Sequence, residues 1–274
     1  MGFLAFLKSK FTKKKAVIGL ALGSGGAKGF AHLGALKAFE ENGIEFDVIG
    51  GTSIGSIVGA FYADGYSSTD IYGLISGLNL KDMLNGIPFN MDMSGIKKVL
   101  DRQIGGKNLE DLKKPMVVVA TDADEMKEVV FTKGNVATAL CGSSCYAPFF
   151  RPVIDAEGRR LIDGAYMNAI PADRVAELGA DYIVGIDLSA FKEPTPIEKK
   201  RPGSAENSSM QGYEYSDVML TPDLTPYKAI AYNKRNEMYE LGYQSAMAKM
   251  EQIKADYTLL RAGKKLKNKK AEIK

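Results

Sequence analysis

The sequence predicts an α/β protein, a three-layer α/β/α arrangement with a largely parallel central sheet. Three observations carry this. Met116–Ala120 (MVVVA) and Tyr182–Ile186 (YIVGI) are too uniformly apolar for strands with one wet face. Strand-like runs alternate with stretches of helical periodicity, as in sheets covered by helices on both faces. Glycine clusters stand where strands hand over to helices.

In chain order, Ala16–Leu22 reads as the first strand and runs into the glycine-rich stretch GSGGAKG, residues 23–29. A helix follows on Ala31, Leu33, Leu36, Ala38 and Phe39, closed by Asn42-Gly43 as a C-cap. Phe46–Ile49 is a second short strand, ending in Gly50-Gly51-Thr52-Ser53-Ile54-Gly55. Ile57, Val58, Ala60, Phe61 and Tyr62 mark the next helix, which stops near Gly65. The MVVVA strand comes next, and a helix ending over Val175–Gly179 precedes the YIVGI strand. Residues 191–217 hold three Pro, many charges and little periodicity, and read as a flexible loop or lid. Val218–Leu220 is a short strand, and a long helix runs from about Ala229 to Leu260. No internal repeat is visible. Residues 16–260 are expected to form one domain between a basic N-terminal segment, 1–15, and a basic tail, 261–274.

The 274 residues are 45% hydrophobic and 25% charged, with 29 Gly and 10 Pro, which excludes disordered, collagenous and coiled-coil classes. No apolar run reaches the roughly 18–20 residues that span a bilayer. The net charge of +3 is unevenly spread: residues 1–15 contribute +5 and residues 258–274 contribute +6, leaving −8 for the residues between. Basic ends suit anionic lipid head groups, at about 1 kcal/mol per basic side chain near the surface, and equally suit plain solvated termini. Phe3–Leu7 precedes the lysines, the reverse of the secretory order, and Phe6 breaks the myristoylation pattern. Phe3, Leu4, Phe6 and Leu7 beside lysines make a candidate interfacial anchor, so the expectation is a cytoplasmic protein with peripheral membrane contact. Lysine tails without a recognised module give no reason to expect a nucleic-acid partner. Cys141 and Cys145 lack the ligand count for zinc and read as small buried thiols. Nothing in the sequence sets an oligomeric state.

Gly51-Thr52-Ser53-Ile54-Gly55 is a G-x-S-x-G between an apolar strand and a helix, the context that exposes a nucleophilic hydroxyl on a strained turn above a helix N-terminus. The plainer reading is a tight βα turn whose Ser caps the helix. His32 is the one histidine and lies upstream of Ser53 on a helix, flanked by Ala31 and Leu33. No His follows Ser53, so the Ser–acid–His order is absent and a packed helix histidine is the expected role. A nucleophilic Ser53 therefore needs a carboxylate, or water held by one, as base.

The glycine loop follows a strand and opens a helix, where backbone N–H groups face an anion. As a Walker A loop it fails, because Lys28 precedes Gly29 and Phe30 follows. As a dinucleotide fingerprint from Gly23 it has Lys28 where glycine belongs. An oxyanion hole beside Ser53 suits it best. Leu161-Ile162-Asp163-Gly164-Ala165 places an Asp after an apolar pair, which alone reads as a turn residue.

Together, GSGGAKG (23–29), GTSIG (51–55) and DGA (163–165) resemble, in order, the motifs of the patatin-like phospholipases. Lys28 to Gly34 (KGFAHLG), Thr121-Asp122, Ser144 through Phe150 and ELGADYIVGIDL (177–188) resemble the bacterial branch, over about residues 16–190 and weakly around Gly242-Tyr243. The resemblance implies a patatin-like fold and a Ser–Asp dyad without histidine, with Ser53 as nucleophile, Asp163 as base, and Gly25 and Gly26 as oxyanion donors. Lys28 is implied to hold the loop or face a phosphate. The family's loop is often G-x-G-x-x-G; aligned to end at Gly29, it meets Ser24 first and Gly26 third, and Ser24 also supplies a backbone N–H.

The implied reaction is two-step acyl transfer on a lipid carboxylic ester, of phospholipase A or lysophospholipase type, with no metal or organic cofactor. Met83, Leu84, Ile87, Phe89, Met91, Met93, Phe149 and Phe150 are candidate walls for an acyl chain, or plain core. A soluble esterase or thioesterase using the same dyad is a rival, as is a nucleotide-binding regulatory domain using the glycine loop. An inactive relative that only binds is a third.

Overall fold

The computed structural model describes residues 15–77, 91–189 and 205–266. Eight strands form one sheet: β1 (Ile18–Leu22), β2 (Val48–Thr52), β3 (Met116–Asp122), β4 (Lys127–Phe131), β5 (Val153–Ile154), β6 (Arg160–Asp163), β7 (Tyr182–Ile186) and β8 (Val218–Leu220). Their order is β5-β6-β3-β2-β1-β7-β8, with β4 also paired to β3. The run β3-β2-β1-β7-β8 is parallel, whereas β4, β6 and β5 join antiparallel. The α-helices of the described residues are α1 (Phe30–Glu41), α2 (Ile54–Ala63), α3 (Ser68–Ser76), α4 (Ser94–Ile104), α5 (Val136–Ser143), α6 (Ala172–Glu177), α7 (Ala205–Tyr215) and α8 (Arg235–Arg261).

Alternation along the strands serves two faces. On one, Leu20, Ile49, Val118 and Val184 belong to a core with Leu33 and Phe39 of α1, Val58 of α2, Leu140 of α5 and Met238 of α8. On the other, Ala21, Val48, Val117 and Ile183 pack with Ile170, Ala172 and Val175 around α6. The three layers expected from the sequence are therefore present.

β3 has three neighbours, and their arrangement positions the site. β4 lies along residues 118–122 of β3, so β2 and β6 must share the opposite edge. β2 takes the first part, to the pair Thr52–Val119, and β6 takes the rest, from Ala120–Asp163. The carboxyl ends of β2 and β6 thus meet.

Several expectations change. The second strand runs to Thr52, because Gly50 and Gly51 continue the ladder opposite Ala21 and Leu22 of β1 despite their poor strand propensity. The long helix begins at Arg235, since the Ala229 carbonyl is committed to accepting the Ala27 N–H, at 2.7 Å. Within the stretch read as flexible loop or lid, residues 205–215 are the helix α7, seated where a Cβ on Gly212 would lie 2.5 Å from Ile170. Residues 1–14, 191–204 and 267–274, and the wall candidates Met83, Leu84, Ile87 and Phe89, lie outside the described residues. Among the described residues no helix is long and apolar enough to cross a membrane.

Candidate active site

Ser53 occupies the turn from β2 into α2 with φ 54° and ψ −127°, a left-handed conformation that costs a non-glycine residue about 1–3 kcal/mol. The surroundings fix that turn from both sides. The Ser53 N–H donates to Ser143 Oγ at 2.8 Å, and Ser143 Oγ donates to the Val119 carbonyl at 2.5 Å. The Ser53 carbonyl accepts from Ser56 Oγ at 2.6 Å. The flanking glycines are steric necessities: a Cβ on Gly51 would lie 2.5 Å from the Gly55 carbonyl oxygen, and one on Gly55 2.2 Å from that of Leu22. Glycines at both ends let the elbow fold back on itself and onto β1.

Asp163 ends β6 and is 2% exposed. Its Oδ2 accepts the Ser53 hydroxyl at 2.6 Å, and its Oδ1 accepts the Ala165 N–H at 2.9 Å. Gly164 allows this approach, since a Cβ there would lie 2.2 Å from the Val119 carbonyl oxygen. Burial pushes the Asp163 carboxyl up to about 6, against the two hydrogen bonds, which favour the charged form. That value suits a base working near neutral pH.

The glycine loop lies against the same elbow: a Cβ on Gly29 would strike Ile54 at 2.2 Å. Its amides divide into two groups. Gly23 donates to the Ile186 carbonyl, Ser24 to Ala169, Ala27 to Ala229 and Lys28 to Gly25. Among the described residues, the Gly25 and Gly26 amides have no such acceptor. Gly26 has φ +58°, where a Cβ would meet the Ala229 carbonyl oxygen at 2.5 Å, so no other residue fits easily. Lys28 is half-buried; burial lowers its pKa while the nearby Asp187 carboxylate opposes the shift.

His32 is the packed histidine expected from the sequence. It is fully buried, its Nε2 donates to the Gly23 carbonyl at 2.7 Å, and burial lowers its pKa to about 4. The imidazole is neutral and braces the loop's first residue. Both cysteines are buried, as expected, and burial pushes each thiol up to about 12. Among the described residues no group of three or more His, Cys, Asp or Glu is arranged to hold a metal ion.

A sequence profile of the patatin-like phospholipases matches residues 20–176. The chain belongs to this family. Among patatin-like relatives, the lysophospholipase NTE1 of Kluyveromyces lactis is 27% identical over 280 residues, covering 87% of this chain and 19% of that protein. The mouse patatin-like phospholipase domain-containing protein 7 is 30% identical over 278 residues, 83% of this chain and 20% of that protein. This chain thus spans about a fifth of the length of these curated relatives. Among solved structures, VipD from Legionella pneumophila shares the fold with a TM-score of 0.58 at 16% identity, over 87% of this chain and 67% of that one.

In this patatin-like site, two positions carry no chemical signal in the sequence. Ser143 sits among small residues at the end of α5, and Asn168 lies in an irregular stretch after Asp163; both are wholly buried. Of the described wall candidates, Met93 is core, Phe150 packs on that core, Met91 is half-buried and bridged to Phe150, and Phe149 is 42% exposed. Tyr146, also outside the expected set, stacks on both Phe149 and Tyr166 close to Asp163. A groove of about 860 Å³ lined by Asp64, Tyr66, Thr69, Leu74, Gln103 and Lys113 lies at the far end of α2, about 15 Å from Ser53 by helix rise, and is not this site.

Proposed function

We propose that the chain is a serine acyl hydrolase that cleaves carboxylic esters of lipids, of phospholipase A or lysophospholipase type, within one catalytic domain over residues 16–260. The observation that carries the reading is the 2.6 Å hydrogen bond from the Ser53 hydroxyl to the buried carboxylate of Asp163, on a turn held in a strained conformation. That two of the relatives are a lysophospholipase and a patatin-like phospholipase domain-containing protein supports the lipid-ester substrate class.

In the first step Asp163 takes the Ser53 proton as Ser53 Oγ attacks the ester carbonyl carbon. The oxyanion lies toward the Gly25 and Gly26 amides; losing one such donor typically costs about 10²–10³ in rate. Collapse breaks the ester C–O bond, and the proton on Asp163 passes to the departing alcohol or lysolipid. In the second step Asp163 takes a proton from water, hydroxide adds to the acyl carbon, and Ser53 leaves carrying that proton. Lys28 either holds the loop or meets a substrate phosphate. The basic ends, with the apolar stretch Phe3–Leu7, are read as drawing the enzyme to anionic membrane surfaces.

The test is fatty-acid release from lysophosphatidylcholine micelles, mixed phosphatidylcholine–phosphatidylglycerol vesicles and a p-nitrophenyl ester by wild type, Ser53→Ala and Asp163→Asn. Lipid hydrolysis by wild type, lost in both folded variants, is expected. Release by Ser53→Ala at the wild-type rate would overturn the mechanism, and hydrolysis of the soluble ester alone would replace the lipid by a soluble substrate.

A further inference from the structure

Residues 168 and 169 touch all three parts of the site. The Asn168 N–H donates to the Gly164 carbonyl at 2.9 Å, one residue past Asp163. The Asn168 carbonyl accepts the Thr52 hydroxyl at 2.9 Å, one residue before Ser53. The Ala169 carbonyl accepts the Ser24 N–H at 2.9 Å, one residue before Gly25. Two consecutive residues therefore tie together the backbone on which the nucleophile, the base and the glycine loop each stand.

The bridge is itself anchored through the Asn168 side chain, which is wholly buried. Its Nδ2 donates to Asp173 Oδ1 at 2.8 Å and to Glu128 Oε1 at 3.1 Å. Arg174 then pins Glu128 with two hydrogen bonds, at 3.0 and 2.8 Å, lies 3.3 Å from Asp173 and pairs with Glu177. The Asn168 amide supplies a donor to Glu128 and to Asp173 without adding charge. Both nearest partners are carboxylates that need a donor, while a cation there would need room and counter-charge that Arg174 already uses. The Asn168 Oδ1 has no hydrogen-bond partner among the described residues. Position 168 thus keeps a buried polar atom without a protein partner, an ordinarily unfavourable arrangement. An apolar residue of similar size would avoid that cost, but would remove from each carboxylate one of the donors it now has.

We infer that Asn168 is a positioning residue: its side chain, clamped by Glu128 and Asp173, fixes the 168–169 bridge that sets Ser53, Asp163 and the glycine loop in register. The inference rests on the Ser53–Asp163 reading for its catalytic consequence, but the bridge can be measured without catalysis. Displacement of catalytic groups by about 1 Å typically costs on the order of 10²-fold in rate.

The experiment compares wild type, Asn168→Asp, and Asn168→Asp combined with Asp173→Asn, which returns an amide–carboxylate pair with the roles exchanged. Two readouts are taken: the rate at which a fluorophosphonate labels Ser53, normalised to folded protein, and amide hydrogen exchange followed by mass spectrometry. Asn168→Asp is expected to slow labelling about 10–100-fold. It should also speed exchange in peptides covering 23–29, 48–56 and 160–168, with α8 unchanged. The double variant should recover at least a tenth of the wild-type rate and the slower exchange. Wild-type labelling and exchange in folded Asn168→Asp would overturn the inference, as would a loss that Asp173→Asn does not relieve. If wild type itself fails to label, the dyad reading falls, while the exchange of the three segments still decides the bridge. Should Asn168→Asp not fold, Asn168→Ala removes the anchor without adding charge; unchanged exchange in its three segments would equally overturn the inference.

Discussion

Thr52 and Asp163 stand opposite consecutive residues of β3, Val119 and Ala120, although more than a hundred residues separate them in the chain. A parallel strand and an antiparallel strand end against each other on one edge, and the residue after Thr52 is delivered to the carboxylate of Asp163. The distance between Ser53 and Asp163 is therefore set by strand register. A one-residue slip of β6 would move Asp163 to the other side of the sheet.

The carboxyl of Asp163 is raised to about 6 chiefly by burial, and a base must be unprotonated to accept the serine proton. The kcat/KM for ester hydrolysis is expected to rise with pH along a limb centred near 6 and then level off. His32, lowered to about 4, stays neutral through that range and should leave the limb where it is. A pH–rate profile of wild type and His32→Gln measures both.

The same shift makes the native carboxylate a liability. The folded pKa lies above the ordinary value of 3.8, so folded Asp163 keeps its proton after the unfolded chain has lost it. Its contribution to stability is full below about 4 and is lost as pH rises toward 6. Asp163→Asn removes the buried charge, so it should abolish activity yet raise Tm by a few degrees at pH 7.5. At pH 4 the two proteins should melt together. Thermal unfolding at the two pH values checks the sign.

His32 joins α1 to the start of the glycine loop through Nε2 and the Gly23 carbonyl. Glutamine can place an amide N–H near the same carbonyl, whereas alanine leaves a buried acceptor unpaired at a cost of about 1–3 kcal/mol. His32→Ala is expected to lower both Tm and kcat, and His32→Gln to restore most of each. Steady-state kinetics beside thermal melts separate the two effects.

Helices α1 and α8 cross at backbone contact. A Cβ on Gly34 would sit 1.9 Å from the Tyr239 carbonyl oxygen, and one on Gly242 1.9 Å from that of Ala31. Adding a methyl group at this crossing forces the helices apart, and overpacking of this kind costs about 1–3 kcal/mol or more. Gly242→Ala should lower the denaturation midpoint clearly, while Gly43→Ala, where no atom lies within 4 Å, is strained only by its φ of +68°. Urea unfolding of the two variants tests the comparison.

Much of this was legible in the sequence, for physical reasons. The strands Tyr182–Ile186 and Val218–Leu220 were readable at their bounds because buried strands carry unbroken apolar runs. The G-x-S-x-G elbow and the glycine loop were readable because their glycines answer local steric demands. The β3–β4 hairpin was hidden by the exposed, charged start of Lys127–Phe131. The approach of Asp163 to Ser53 depends on which strands share an edge of β3, a long-range fact that no local pattern encodes. The Ser143 hydroxyl bonds to backbone groups distant in the chain, and the Asn168 amide to carboxylates that only the fold brings to it, so neither residue type signalled its contacts in the sequence.

The most direct measurement is covalent trapping of Ser53 by a fluorophosphonate, read by intact mass and peptide mapping. Wild type is expected to take up one adduct on Ser53, Ser53→Ala none, and folded Asp163→Asn only at a rate lower by about 10³ or more, as in sites deprived of their base. An adduct on another residue, or Asp163→Asn labelling as fast as wild type, would contradict the dyad.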